Sequence, residues 1–246
     1  MCTLIALHRC YTTAHLMVAA NRDEFLARPA SGPRVHEWHG RRVVAPIDER
    51  AGGTWLGTND AGVFVALTNR PTARLDATRR SRGLLVADAL GRPSATRAAE
   101  AALRLAPNAY NPFNLFIADA EHAFAVIYEE KARVRVLAPG VHVIGNADPD
   151  DAAVPKIARL LGEAERIAQG PEHEALDALG ALCRSHDARG ESALERTCIH
   201  TPEYGTRSST LLRRGVERDR DALRFASGAP CVTPYQDLTP LLRALG

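Results

Sequence analysis

The residue best suited to covalent chemistry in this chain is its second one. Cys2 follows the initiator methionine and begins an apolar run that reads CTLIAL. Methionine is generally removed when the second residue is small, and Cys2 would then carry both a thiol and an α-amine. Because their reference pKa values are about 8.5 and about 7.7–8.0, the amine can act as base for its own side chain. Cys2 is therefore a candidate nucleophile; the alternative is a small apolar residue that begins a buried strand.

A cluster of polar and charged residues ends the next apolar segment. The run LMVAA leads into Asn21, Arg22, Asp23 and Glu24, and a hairpin of the two segments would bring this cluster beside Cys2. A nearby cation raises the thiolate fraction of a cysteine. We favour Arg22 near the thiol and Asp23 near the amine, with Glu24 as the competing acid. A solvated turn with a weak surface ion pair is the alternative.

The apolar pattern predicts strands and helices in alternating blocks. The predicted strands span residues 3–8, 16–21, 42–45, 53–57, 63–68, 114–118, 123–128, 134–137, 141–145, 210–213 and 222–226. The predicted helices span residues 81–90, 94–105, 154–168, 172–184 and 237–245. We interpret 25–53 as a long loop with only one short strand, and the four strands between 114 and 145 as one antiparallel meander. This order predicts an α+β fold in which two antiparallel sheets are each covered by helices, a four-layer αββα sandwich.

Composition limits the classes of function. The chain has 246 residues, is 46% hydrophobic and carries a net charge of +2, which is typical of a globular protein and gives no electrostatic case for nucleic acid. No apolar stretch approaches the ~18 residues that a membrane span needs, and no signal peptide is predicted at the N-terminus. The cysteine count is five, an odd number that favours reduced thiols and a cytoplasmic protein. No composition break marks a linker, so we expect one domain over residues 1–246.

Four segments together resemble the cysteine-type N-terminal-nucleophile (Ntn) hydrolases, a group that includes bile salt hydrolases and penicillin V acylases. They are Met1-Cys2-Thr3 with its hairpin, NDAGV at 59–63 leading to LTNRP at 67–71, VIGNA at 143–147, and YGTRSST at 204–210. More closely, the chain resembles the NRDE family, also called the transport and Golgi organisation protein 2 family. The tetrapeptide NRDE stands at 21–24 and GGTWLG at 52–57.

The resemblance implies an αββα fold with Cys2 at the end of a central strand. It also implies that the side-chain amides of Asn69 and Asn146 stabilise the oxyanion, and that Arg207 is the late arginine that closes the site. Acyl transfer needs such donors where negative charge develops. The alternatives are turn asparagines and a surface arginine at a strand edge.

One part of the sequence departs from the hydrolase pattern. Those enzymes place an arginine and an aspartate three residues apart beside the nucleophile, whereas here Arg22 is followed at once by Asp23 and Glu24. The resemblance therefore leaves open which acid contacts the Cys2 amine. Four further residues are predicted to contact the substrate. Two of them are aromatic, and a position in the buried core is the commoner role for an aromatic residue. The four residues are Asn21, Glu24, Trp55 and Tyr204.

Three pairs of residues have the character of metal ligands. They are Cys198 with His200, Cys183 with His186, and His36 with His39. None is followed by a second pair at zinc-finger spacing, so no metal site is predicted. Cys198 with His200 is also a possible Cys–His nucleophile, and the presence of Cys2 makes that interpretation weaker.

These observations predict an amidohydrolase that cleaves a non-peptide C–N amide bond, or an ester, through Cys2 and without a cofactor. The expected partner is a small molecule. The alternative is a non-catalytic binding or trafficking protein that holds a lipid, an acyl-CoA or haem in the same cleft, because eukaryotic members of the family are associated with lipid and haem homeostasis. His36 and His39 would then be the extra features for haem. A thiol-redox function at Cys2 is a third possibility, which no CxxC motif supports.

Overall fold

Two antiparallel sheets form the centre of the molecule, which this computed structural model describes for residues 2–188 and 192–246. The first sheet consists, in spatial order, of β10 (Gly140–Ile144), β1 (Cys2–His8), β2 (Ala14–Phe25), β11 (Tyr204–Gly215), β12 (Ala222–Ala226) and β13 (Gln236–Asp237). The second consists of β3 (Ala30–Trp38), β4 (Arg41–Asp48), β5 (Leu56–Asn59), β6 (Phe64–Asn69), β7 (Phe113–Ala118), β8 (Ala123–Tyr128) and β9 (Ala132–Leu137). Cys2 therefore begins an inner strand of the first sheet.

Helices cover the outer face of each sheet. They are α1 (Arg82–Leu90), α2 (Ala95–Leu103), α3 (Pro155–Ala168) and α4 (Glu172–Arg184), whereas the short C-terminal α5 (Thr239–Arg243) packs against the apolar layer between the sheets. Helices α1 and α2 pack on the second sheet, and α3 and α4 pack on the first. Ser81 and Ser94 cap α1 and α2 by accepting hydrogen bonds from backbone N–H groups of the first turn, as serines preceding an apolar helix are expected to do.

Alternation along β1 divides its side chains between two apolar layers. Leu4 and Ala6 face the second sheet, whereas Ile5 and Leu7 face α3 and α4. Because successive side chains of a strand point to opposite faces, a strand that is apolar at every position must be buried on both sides. The αββα sandwich predicted from the order of the elements is confirmed.

The prediction of a long loop over residues 25–53 is wrong. β3 and β4 form a hairpin there, with Trp38 paired to Arg41 across a two-residue turn. Both turn residues have positive φ, 52° at His39 and 73° at Gly40, as a type I′ hairpin turn requires. β3 is an edge strand with largely exposed side chains and contains Pro33, so its apolar alternation is too weak to identify it from sequence.

The predicted four-strand meander is only partly correct. β7, β8 and β9 pair in sequence, but β10 leaves the second sheet and pairs with β1, Ile144 lying opposite Leu4. This exchange brings the residues that follow β10 to the same end of the sandwich as Cys2. Within the described residues, no helix combines the length and the apolar character that crossing a bilayer requires.

Candidate functional site

The β1–β2 hairpin places Cys2 directly opposite Arg22. Both residues continue the side of the sheet that faces the second sheet, because Leu4 and Ala20 lie on that side in the following positions. Cys2 also lines a cavity of about 540 Å³ together with Arg70, Asn146, Lys156 and Leu160. The predicted nucleophile is thus held at the end of an inner strand and borders a space large enough for a small molecule.

Arg22 is buried against an aromatic ring. Its guanidinium lies 4.5 Å from the centre of the Trp55 ring, a distance at which the cation is attracted to the ring face. Its Nη2 atom is 3.9 Å from an oxygen of Asp48 and 4.0 Å from one of Glu24. Burial lowers the pKa of the guanidinium, and the charges of Glu24, Cys2 and Asp48 oppose that change. Arg22 therefore supplies a fixed positive charge beside the thiol.

Asp23 points the other way, towards the helices. It is 2% exposed and accepts a hydrogen bond of 2.6 Å from the Thr206 hydroxyl. Burial raises the pKa of the Asp23 carboxyl to about 6, although Lys156 and the Thr206 hydrogen bond act to lower it. Its backbone carbonyl accepts a further hydrogen bond, of 2.7 Å, from the Tyr204 hydroxyl. The side-chain carboxyl of Asp23 can therefore gain or lose a proton near pH 6.

Glu24 belongs to a different network. One of its oxygens accepts from the backbone N–H of Phe25, and the other lies 3.8 Å from Nε of Arg28. Arg28 in turn donates to Asp48 at 2.8 Å. The Asp23 carboxylate is among the charges that act most strongly on the pKa of the Cys2 thiol. This geometry favours Asp23 as the acid beside Cys2.

The surroundings of Cys2 keep its thiol protonated at neutral pH. Burial is the main cause that raises the pKa of Cys2, and the Asp23 carboxylate raises it further. The Asp23 backbone N–H and the Arg22 guanidinium act to lower this pKa. Because the thiolate is the reactive form, a nucleophile in this position needs a base next to it.

Lys156 is a site residue that the sequence analysis did not identify. It lies in the first turn of α3, directly after Pro155, and lines the same cavity as Cys2. Burial lowers the pKa of its ammonium group, while the charges of Asp23 and Cys2 raise it. A signal was available, because Lys156 is one of only two lysines in a chain whose other basic residues are arginines.

The two predicted oxyanion residues come together at the end of the sandwich. The Asn146 side chain donates to the backbone carbonyl of Asn69. Thr68 and Asn114, both from the second sheet, donate to the backbone carbonyl of Gly145. Asn114 also donates to the carbonyl of Ala147 at 2.7 Å. Side chains of one sheet thus hold the loop that follows β10 in the other sheet.

Replacing Asn114 by alanine is expected to lower the free energy of unfolding by about 2–4 kcal/mol. Asn114 is fully buried and donates to two carbonyls, of which that of Gly145 keeps its bond from Thr68. Loss of one hydrogen bond costs about 0.5–1.5 kcal/mol, and an acceptor left unsatisfied costs about 1–3 kcal/mol. Asn146→Ala is the matched control, since its half-buried amide makes one such bond and its loss should cost about 1 kcal/mol or less. Urea unfolding of both variants measures the difference, and equal losses would contradict the assigned role of Asn114.

Arg207 occupies a β-bulge. Thr206 pairs with Asp23 and Ser208 with Arg22, which leaves Arg207 as the extra residue of β11. Bulges next to active sites re-aim a side chain. Arg207, Arg22 and Trp55 line a small cavity of about 50 Å³, so the predicted late arginine lies near the guanidinium that faces Cys2.

Two predicted substrate contacts have supporting positions instead. Asn21 faces the helices and donates to the carbonyls of Cys183 and Thr197, both at 2.9 Å. Tyr204 donates its hydroxyl proton to the backbone of Asp23. These contacts favour a role in holding β2 against its neighbours over direct contact with a ligand.

The histidines considered for haem lie on the β3–β4 hairpin. His36 stacks on Trp38 with ring centres 4.9 Å apart, and its Nε2 is 3.0 Å from the Ala45 carbonyl. His39 lies 3.2 Å from a carboxylate oxygen of Asp88. The described residues that line the Cys2 cavity include neither histidine.

Comparison with known proteins gives one family. A family model described as Transport and Golgi organisation 2 matches residues 1–220. A Transport and Golgi organization protein 2 homolog of Bos taurus is 32% identical over 232 residues, which covers 80% of this chain and 81% of that protein. The homolog of Homo sapiens is 28% identical over 226 residues, with the same coverage of each chain, 80% and 81%.

Solved structures with a similar fold include proteins named as an acylase, a hydrolase and an amidase. Penicillin V acylase from Agrobacterium tumefaciens aligns with a TM-score of 0.61 at 16% identity, covering 98% of this chain and 87% of that one. A C2A mutant of conjugated bile acid hydrolase from Clostridium perfringens aligns with a TM-score of 0.60 at 11% identity, covering 98% and 93%. The N-acylethanolamine-hydrolyzing acid amidase ortholog of Caenorhabditis elegans gives 0.56 at 12% identity, covering 85% and 92%. At these identities the likeness shows the Ntn-hydrolase fold.

Proposed function

The chain belongs to the Transport and Golgi organisation 2 family, and we propose that it is an amidohydrolase that cleaves a non-peptide amide or ester bond through Cys2. The observation that carries the proposal is the position of Cys2, opposite Arg22 at the end of an inner strand and on the wall of a cavity. The names of the structural neighbours describe an acylase, a bile acid hydrolase and an acid amidase. One of them was solved as a C2A mutant, so a cysteine is the native residue at its second position.

The proposed reaction begins after removal of Met1. The α-amine of Cys2 takes the thiol proton, and the thiolate attacks the carbonyl carbon of the substrate. The side-chain amides of Asn69 and Asn146 donate to the oxyanion that forms. The ammonium group then gives its proton to the leaving amine as the C–N bond breaks and an acyl-thioester remains. A water molecule then gives a proton to the α-amine of Cys2 and attacks the thioester carbonyl. The acid product leaves, and the thiolate of Cys2 regains the proton from the ammonium group.

Charged residues orient the nucleophile in this mechanism. Asp23 lies on the helix side of β2 and, when ionised, favours the protonated form of the Cys2 amine. Arg22 favours the thiolate. Lys156 and Asp23 act on each other's pKa, so the ammonium group of Lys156 helps to keep the buried carboxyl ionised.

The lining of the cavity supports a particular class of substrate. Val143, Val154, Ile157 and Leu160 give it apolar walls, and its charged groups are mixed, since Glu129 and Glu195 accompany Arg70 and Lys156. Apolar walls bind an acyl chain, and the few polar groups of such a pocket fix its orientation. We propose an acyl amide or ester with an apolar acyl chain.

Binding without catalysis is the second candidate, and the same apolar cavity supports it. A lipid or the acyl chain of an acyl-CoA would occupy the space beside Cys2 without being cleaved. Haem receives less support, because the rings of His36 and His39 are engaged by Ala45 and Asp88. The proposal also places the protein in the cytoplasm, since its five cysteines are free and free thiols persist in a reducing compartment.

Intact mass and selective acylation test the proposal. We expect the purified protein to lack Met1, and a p-nitrophenyl acyl ester to acylate Cys2 far faster than the other four cysteines. Peptide mass spectrometry locates the acyl group, and Cys10, which lies just after β1, serves as the internal comparison. Retention of Met1 would rule out the amine as base, and equal acylation of all five cysteines would rule out a special nucleophile.

A further inference from the structure

Four residues with metal-binding side chains meet beside α4, away from the Cys2 cavity. His186 follows the end of α4, Cys198 and His200 lie in the segment before β11, and Cys231 follows β12. One ligand atom of each residue lies within 4.8 Å of the ligand atoms of the other three. Two thiols and two imidazoles from three separate segments therefore point at a common centre.

The distances between these atoms resemble those around a tetrahedral zinc ion. The two sulfur atoms are 3.5 Å apart, and Nε2 of His200 is 3.6 Å from Cys198 Sγ and 3.1 Å from Cys231 Sγ. With Zn–S near 2.3 Å and Zn–N near 2.0–2.1 Å, tetrahedral geometry separates ligand atoms by roughly 3.4–3.8 Å. The His186 ring stands nearly perpendicular to that of His200, with centres 5.2 Å apart, and one of its nitrogens lies within 4.8 Å of the other three ligand atoms.

Backbone hydrogen bonds hold the central ligands in place. The backbone N–H of Cys198 donates to the Ser185 carbonyl at 2.9 Å, next to His186. The N–H of Ile199 donates to the Thr206 hydroxyl, and the N–H of Thr206 donates back to Ile199. Cys198 is buried, whereas both histidines are exposed. The site is thus pre-formed on its inner side and open to an ion from solvent.

We propose that His186, Cys198, His200 and Cys231 form a structural Zn²⁺ site. Thiolates and imidazoles favour zinc over magnesium or calcium, which prefer oxygen ligands. All four positions are filled by protein, as in zinc sites that stabilise a fold and unlike catalytic ones, which keep a position open. The ion would tie the end of α4 to the segments that flank β11 and β12. Thr206, which bonds both Ile199 and Asp23, lies directly behind it.

This proposal is independent of catalysis at Cys2, because its test reads metal content. We expect the full chain, purified under reducing conditions and dialysed against Zn²⁺, to hold one zinc per chain by inductively coupled plasma mass spectrometry. Cys198→Ser and Cys231→Ser should retain less than about a tenth of that amount, whereas Cys10→Ser should retain all of it. Replacement of the zinc by Co²⁺ should give the intense visible absorption bands of a tetrahedral site. Thiolate ligands should add sulfur-to-metal charge-transfer bands in the near ultraviolet.

A variant of an exposed ligand guards against loss of the fold. His200→Ala should keep the circular dichroism spectrum of the native protein but lack the cobalt bands. A chelator should lower the melting temperature of the wild type and leave that of His200→Ala unchanged. Zinc content unchanged in Cys198→Ser, Cys231→Ser and His200→Ala would overturn the proposal. A wild-type protein that binds no metal would also overturn the proposal. The same holds if Cys198 and Cys231 of that metal-free protein have formed a disulfide under reducing conditions.

Discussion

Cys2→Ala is expected to lower kcat/KM for amide hydrolysis by about 10³-fold or more, because loss of a covalent nucleophile leaves only binding and oxyanion stabilisation. The measurement is release of p-nitroaniline from a series of acyl p-nitroanilides whose acyl chains run from short to long. Substrate binding should persist in the variant, since the apolar walls and Lys156 are unchanged. The loss should therefore appear in kcat and far less in KM.

Cys10→Ala is the matched control for this variant. Cys10 is a half-buried thiol in the turn after β1 that donates to the carbonyl of His8 and packs at the border of the apolar layer under α3 and α4. We expect its activity to equal that of the native protein. Hydrolysis that survives Cys2→Ala would remove the enzyme interpretation. Tight lipid or acyl-CoA binding by a native protein that hydrolyses none of the series would favour the binding alternative.

Asp23→Asn is expected to lower kcat/KM by about 10²-fold or more and to change the pH profile. Burial raises the pKa of Asp23 to about 6, so the carboxylate is present above that pH and is lost as the pH falls through it. Protonation of the Cys2 amine, whose reference pKa is about 7.7–8.0, already lowers the activity of the native protein, and loss of the Asp23 carboxylate should add a steeper fall below about pH 6. The variant has no carboxyl group at this position, so the steeper fall near pH 6 should be absent from its profile, while the limb caused by the Cys2 amine remains.

Glu24→Gln is the comparison that decides between the two acids. Its carboxylate is directed to Arg22 and Arg28, on the face of β2 opposite Asp23. We expect a loss of less than about tenfold and a fall near pH 6 that remains, since the Asp23 carboxyl is unchanged in this variant. A large loss in Glu24→Gln together with an unaltered profile in Asp23→Asn would reverse the assignment.

Much of the fold follows from periodicity that can be read locally. Alternating or continuous apolar runs predicted β1, β8 and β12 close to their observed bounds, and serine caps predicted the starts of α1 and α2. The pairing of Cys2 with Arg22 was also accessible, because two short strands joined by a turn have one natural register. These features depend on residues that are near one another along the chain.

The sequence by itself determined the two-sheet, helix-covered architecture and the candidate nucleophile with its charged neighbours. Only the tertiary structure decided that β10 pairs with β1, that α3 brings Lys156 to Asp23, and that Cys231 joins Cys198 and the two histidines. The physical reason is that each of these contacts joins segments far apart in the chain. Their geometry results from how the whole sandwich buries its apolar faces, and no local pattern of residues encodes it.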